Sequence, residues 1–153
     1  MEKVFKELSK RTKIDLVPYI KKYLSENPNV DIYIGCDSQN TGRSTNYATV
    51  IVLHRERKGG HVLYTSESVP KIKDRFTRLW SEVEHSVDLA EFLTLNGIKK
   101  PKFIDIDLNP DPRFKSNMVL RSALGYVESM GYTPRCKPFA IVSSYCADRL
   151  CKK

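Results

Sequence analysis

The chain has 153 residues, 41% hydrophobic and 29% charged, enough for one domain with a sizeable buried core. No apolar stretch approaches the roughly 18 residues a membrane helix needs, and the opening MEKVFKELSKRTK lacks the apolar centre of a secretory signal, so a cytoplasmic protein without membrane contact is expected. Lys and Arg outnumber Asp and Glu by 26 to 18, a formal net charge of +8, which favours phosphate-bearing partners because neutralising a polyanion releases its condensed counterions.

With no repeat, linker or low-complexity segment, residues 1–153 read as a single domain in which 1–29 form an N-terminal helical extension. Leu16, Ile20 and Leu24 recur every four residues in DLVPYIKKYLS, the spacing of an amphipathic helix. Pro18 falls in its first turn, where a missing amide is harmless. Three strand-like runs follow, VDIYIGCD, NYATVIVLHRER and HVLYTSESV, and the turn at Lys58, Gly59 and Gly60 predicts a hairpin between the last two. A long helix is predicted over residues 71–95, with Phe76, Leu79, Val83, Val87 and Ala90 on one face and Asn96 and Gly97 at its end. Then come a strand at KFIDIDLN, a loop from Asn109 to Pro112, a helix over 116–130, a strand at KPFAIVSS and a short helix from Tyr145. A meander followed by alternating strands and helices predicts a mixed α/β sheet with helices on both faces.

The four cysteines, Cys36, Cys136, Cys146 and Cys151, form no Cys-x-x-Cys pair and accompany no paired His motif, so they read as reduced packing residues rather than a zinc site. The carboxylates are more informative. YIGCDSQN breaks an apolar run at Asp37, either as a turn residue or as a carboxylate held at a sheet edge for chemistry. In FIDIDLN, Asp105 and Asp107 occupy alternate positions and therefore one strand face, an arrangement that calls for cations or hydrogen bonds to compensate it. On the long helix Glu82 and Glu84 flank the apolar stripe on opposite sides, so either can reach the sheet rim; Asp88 and His85 point to solvent. Asp148 belongs to the first turn of the last helix, where the helix dipole favours an acid. A hard divalent cation such as Mg²⁺ suits an open carboxylate cluster of this kind, and two of them stabilise both oxygens of a phosphodiester displacement.

The succession IGCDSQ, RLWSEVEHSVDLAEFL, FIDIDLNPDPRFKSN, YVESMGYTPRCKPFA and SSYCADR resembles the ribonuclease H fold, and in detail the YkuK-type family of ribonuclease H-like proteins, from Asp31 onward. The resemblance implies a carboxylate site of Asp37, Glu84, Asp107 and Asp148, with Glu84 preferred to Glu82 and Asp107 to Asp105. It also implies two Mg²⁺ or Mn²⁺ ions and metal-dependent cleavage of phosphodiester bonds in RNA, DNA or a hybrid. Ser38, Gln39, Arg113, Lys115, Arg149, Lys152 and Lys153 are candidate contacts to the nucleic-acid backbone. A non-catalytic module that binds nucleic acid or a protein partner is the alternative. A small phosphorylated metabolite is a weaker substrate class, since no Gly-rich phosphate cradle is present. No dense aromatic and basic motif marks single-strand stacking, and nothing in the residues fixes an oligomeric state.

Overall fold

Alternating β-branched and aromatic residues between Val30 and Pro70 build the centre of the molecule, in a computed structural model that describes residues 3–108, 113 and 117–136. Strands β3 (Val30–Thr41), β4 (Ser44–Arg55) and β5 (Gly59–Pro70) form the expected antiparallel meander. Residues 3–14 depart from the helical extension: β1 (Phe5–Glu7) and β2 (Lys13–Ile14) pair as a short hairpin, and β1 joins the sheet through β5. Phe5 anchors this arrangement, buried to 4% exposure in the main core. Helix α1 (Leu16–Glu26), helix α2 (Arg75–Leu95), β6 (Phe103–Ile106), α3 (Asn117–Ser129) and β7 (Pro134–Cys136) complete the described elements.

The sheet order is β2-β1-β5-β4-β3-β6-β7. β6 lies parallel to β3, with Tyr33 opposite Phe103 and Gly35 opposite Asp105, and β7 lies parallel to β6. The chain reaches each parallel strand through a helix, as such connections require. One sheet face presents Val30, Ile32, Ile34, Ile51, Leu53, Leu63, Ile104 and Ile106. Against it pack Leu16 and Ile20 of α1, Val83, Val87, Ala90 and Leu93 of α2, and Val119, Ala123 and Val127 of α3. Each Val, Leu or Ile among them contributes about 1.5–3 kcal/mol by leaving water. The opposite face carries a smaller cluster of Ala48, Val50, Val52 and Tyr64.

Both helix ends read from the sequence form as expected. Gly97 adopts φ +82 and Gly131 φ +89, and in each case the next amide closes on the fifth residue back, Ile98 N–H to Leu93 O and Tyr132 N–H to Val127 O. At the other end α2 begins at Arg75, four residues later than expected, because Asp74 accepts the Thr77 N–H as its N-cap. Phe76 therefore sits in the first turn and is 48% exposed rather than part of the core stripe. β7 at Pro134–Cys136 was not expected, and the strand expected at KPFAIVSS and the helix from Tyr145 lie outside the described residues.

Candidate active site

Asp37 does not end its strand. β3 continues for four residues beyond it, Asp37 lies opposite Ala48 in β4, and its side chain is buried to 8% exposure. A turn role is thus excluded, and a carboxylate inside a strand next to the apolar core requires compensation. Part of it is local: Oδ1 accepts the Ser38 N–H at 2.9 Å. The rest comes from across the core.

Helix α2 crosses β3 so that Arg78 and Glu82, one turn apart, both meet Ser38. Ser38 Oγ donates to Glu82 Oε2 at 3.0 Å, while Arg78 Nη1 donates to Ser38 O at 3.1 Å and approaches its Oγ at 3.2 Å. Glu82 is only 5% exposed. Burial pushes its carboxyl well above the ordinary carboxylate range, and the neighbouring charge of Asp37 adds to the rise. The Ser38 hydroxyl acts against it, while a side-chain hydrogen bond with Asp37 and the charge of Asp107 act with it. Glu82 therefore holds a proton at pH values where an exposed glutamate has lost its own, and its carboxyl is hydrogen-bonded to Asp37.

Asp107 comes from the segment just past β6, half-buried, and lines a cavity of about 10 Å³ with Cys36, Glu82 and Asp105. That volume is roughly one water-probe sphere. Asp105 borders the same cavity but has a different partner: Arg135 of β7 donates to its Oδ1 from Nε at 2.7 Å and to its Oδ2 from Nη2 at 2.9 Å. The guanidinium lies 4.8 Å from the Tyr33 ring centroid and 4.7 Å from that of Phe103, a stacked fork suited to a planar cation. The alternation of Asp105 and Asp107 thus separates into one carboxylate locked to an arginine and one whose charge reaches Glu82.

Of the four expected residues, Asp37 and Asp107 both act on Glu82, the first through a side-chain hydrogen bond and its charge, the second through its charge. The structure leaves Glu84 exposed on α2, where its charge acts on Tyr126 of α3. The acid that reaches the sheet is Glu82. Spacing along α2 does not separate it from Glu84; the packing of α2 over Ser38 does. Asp148 lies outside the described residues, as do Lys115, Arg149, Lys152 and Lys153. Arg113 is exposed. Ser38 is buried in the cluster rather than facing a backbone.

His85 is half-buried rather than solvated. It stacks on Tyr47 with ring centroids 4.5 Å apart, and its nitrogens lie 2.6 Å from Ser81 O and 3.1 Å from Glu67 Oε2. Cys36 is buried beside Glu82 and receives the Thr49 hydroxyl; burial first, and then Glu82, push its thiol well up. Among the described residues, no three His, Cys, Asp or Glu side chains stand as a ready-made ligand set. The donor chemistry nevertheless suits a hard cation: three carboxylates from β3, α2 and the segment after β6, with Glu82 retaining its proton between like charges. A wider cavity of about 660 Å³ opens between β1, β2, α1 and α2, lined by Phe5, Leu16, Leu89 and Phe92. It contains none of the three carboxylates, so volume alone would misplace the chemistry.

The ribonuclease H-like family pattern matches residues 15–152, nearly the whole chain and every described element from α1 onward. The chain belongs to the ribonuclease H-like family. Its mixed sheet and packed helices are accordingly a ribonuclease H-like fold. Among solved structures it is similar to the N-terminal RNase H domain of a Mycobacterium tuberculosis protein, determined as a fusion with maltose-binding protein, at 11% identity and TM-score 0.44 over 81% of this chain and 95% of that one. It is also similar to RNase H1 from the halophilic archaeon Halobacterium salinarum, at 14% identity and TM-score 0.38 over 72% and 86% of the two chains. Comparison with curated proteins gives no match. No helix among the described residues is long and apolar enough to cross a membrane.

Proposed function

We propose that this ribonuclease H-like chain is a metal-dependent nuclease whose carboxylate site consists of Asp37, Glu82 and Asp107, with Asp148 as the expected fourth member. The observation that carries the reading is Glu82: a carboxyl buried to 5% exposure and hydrogen-bonded to Asp37, with Asp107 adding its charge. Such an arrangement weakens a fold unless a cation is meant to enter. Glu82 replaces Glu84 in the proposal because Glu84 is exposed on another face of α2.

Mg²⁺ or Mn²⁺, two ions by analogy with active members of the superfamily, would supply the Lewis acidity that activates water and stabilises the departing oxygen. The protein's own part is to orient and to manage protons. Ser38 Oγ fixes Oε2 of Glu82 and is itself fixed by Arg78, so the helical carboxylate has one orientation. Asp37 is held by the Ser38 amide. The proton on Glu82 must leave before the carboxyl can act as a ligand, which makes cation uptake weaken as pH falls. Asp105, already committed to Arg135, supports the strand that carries Asp107 and is not assigned as a ligand.

The test is a calorimetric titration of the protein with Mn²⁺ and Mg²⁺, alone and with Asp37→Asn, Glu82→Gln and Glu84→Gln. Saturable binding that disappears in the first two variants and survives in Glu84→Gln supports the site; cleavage of RNA, DNA and hybrid substrates would then be lost in the same two variants. Absence of binding to either ion, even with nucleic acid present, would refute the nuclease reading in favour of a module that binds nucleic acid or a protein without cleaving.

A further inference from the structure

The segment that carries the chain from β5 into α2, KIKDRFTR at residues 71–78, holds four cations and one acid. The acid is already occupied: Asp74 accepts Thr77 N–H at 3.0 Å and Thr77 Oγ1–H at 2.5 Å as the α2 cap. Lys71, Lys73 and Arg75 are exposed, and Arg43 is exposed on the adjoining turn between β3 and β4. Their backbone is fixed. Ile72, between the two lysines, donates its N–H to Thr45 Oγ1 at 2.8 Å and accepts from Asn40 Nδ2 at 3.1 Å. Thr45 Oγ1 in turn donates to Asn40 Oδ1 at 2.5 Å, and Lys71 N–H donates to Arg43 O at 3.0 Å. The cations therefore project from an immobilised edge.

This edge leads to the carboxylates. Arg75, Arg78 and Glu82 follow each other at spacings of three and four residues, hence along one face of α2, and they pass from exposed through half-buried to buried. The path from Arg75 to Glu82 is about 10 Å at the helical rise. Beside Arg75, Phe76 leaves 48% of its surface in water, an aromatic next to cations on the exposed end of α2. Fixed cations in a row with an accessible ring are the two components of single-strand binding, one for phosphates and one for an unpaired base. A duplex keeps its bases stacked and has no use for the ring.

We propose that Arg43, Lys71, Lys73, Arg75 and Phe76 form a docking edge for single-stranded nucleic acid, phosphates on the cations and one base on Phe76. The proposal deepens the nuclease reading in that the edge would feed a strand toward Asp37, Glu82 and Asp107, but binding itself needs neither metal nor cleavage. The sequence did not suggest it, because Phe76 reads there as part of the apolar stripe of the helix, and Arg43 joins the other cations only through the Asn40, Thr45 and Ile72 contacts.

Fluorescence anisotropy with labelled single-stranded and duplex oligonucleotides, in EDTA and across 50–200 mM salt, tests it. Lys71→Ala/Lys73→Ala/Arg75→Ala should lower the slope of log affinity against log salt by about 2, from three contacts at about 0.7 each. A control with equal charge removed at exposed sites elsewhere, Lys22→Ala/Lys100→Ala/Lys102→Ala, should keep most of the wild-type slope. Phe76→Leu should weaken single-strand binding roughly tenfold and leave duplex binding unchanged, with Phe76→Trp restoring it. Equal losses in the two triple variants, or wild-type affinity in the first, would overturn the edge. Wild-type binding by Phe76→Leu would overturn the stacked base. Failure of Mn²⁺ and Mg²⁺ to bind would remove the nuclease reading and leave these results standing.

Discussion

Replacing Arg135 by Met should destabilise the protein by about 3–5 kcal/mol, the usual penalty for removing one member of a buried ion pair. The magnitude follows from what is left behind. The Asp105 side chain is fully buried, at 0% exposure, and loses a bidentate counter-ion at 2.7 and 2.9 Å. Arg135 itself retains 16% exposure, which places the expectation toward the lower end. At about 2–4 °C per kcal/mol for a chain of this size, the midpoint of thermal unfolding should fall by roughly 10 °C. Met keeps the apolar stem against Tyr33 and Phe103, so lost packing contributes little. The control is Arg135→Met/Asp105→Leu, which removes both charges and should recover most of the loss, since a hydrophobic replacement of a buried pair is often neutral or better. The assay is thermal or urea unfolding of the three variants beside the wild type. A loss below about 1 kcal/mol in Arg135→Met, with no recovery in the double variant, would mean that Asp105 does not depend on the guanidinium; its exclusion from the carboxylate site would fall with it.

In metal-free buffer Glu82→Gln should stabilise the protein at pH 7–8 and have little effect near pH 4. Because the folded-state carboxyl titrates above its unfolded value, the native state binds the extra proton. Wild-type stability should therefore fall as pH rises from the ordinary glutamate range through the raised folded value. A Gln variant that is no more stable at pH 8 than at pH 4, relative to wild type in urea titrations, would contradict the burial argument. Ser38→Ala removes the donor to Glu82 and one acceptor of Arg78, and should cost about 1–3 kcal/mol in the same assay. In the presence of Mn²⁺ it should also weaken cation binding, because the orientation of Glu82 is lost; unchanged affinity would show that Ser38 is structural only.

The fold was legible where periodicity carried it. The meander, α1, α2, β6 and α3 follow from alternation at Ile32 and Ile34, from four-residue spacing at Leu16 and Ile20, and from the stops at Gly97 and Gly131. The hairpin of β1 and β2 was not legible, since strands of three and two residues have too few positions to show a period. Phe76 misled because a stripe on a helix does not show where along the helix burial begins, and Phe76 lies in the first turn of α2. Within the site, Asp37 and Asp107 were legible as acids interrupting apolar runs. Glu82 and Glu84 were not separable from spacing, since the two lie on opposite flanks of the stripe, and the choice depends on which flank faces β3. That direction is fixed only by the crossing of α2 over Ser38, a tertiary fact.

The same limit explains why Asp105 and Asp107 diverge. Alternation within a strand assigns both to one face, yet β6 ends at Ile106 and only Asp105 is held by the ladder. Pairing with β7 sets Arg135 opposite Asp105, so the strand that fixes the first acid also supplies its counter-ion. Asp107 lies one residue past the ladder, half-buried, and its charge reaches Glu82. Two acids two residues apart thus stand in different settings: one is gripped by the guanidinium of the neighbouring strand, and the other adds its charge to a buried carboxyl, which is where a cation would act. Asp107→Asn should accordingly abolish Mn²⁺ binding, whereas Asp105→Asn should leave it in place. The reverse pattern in calorimetric titrations would move the site to Asp105.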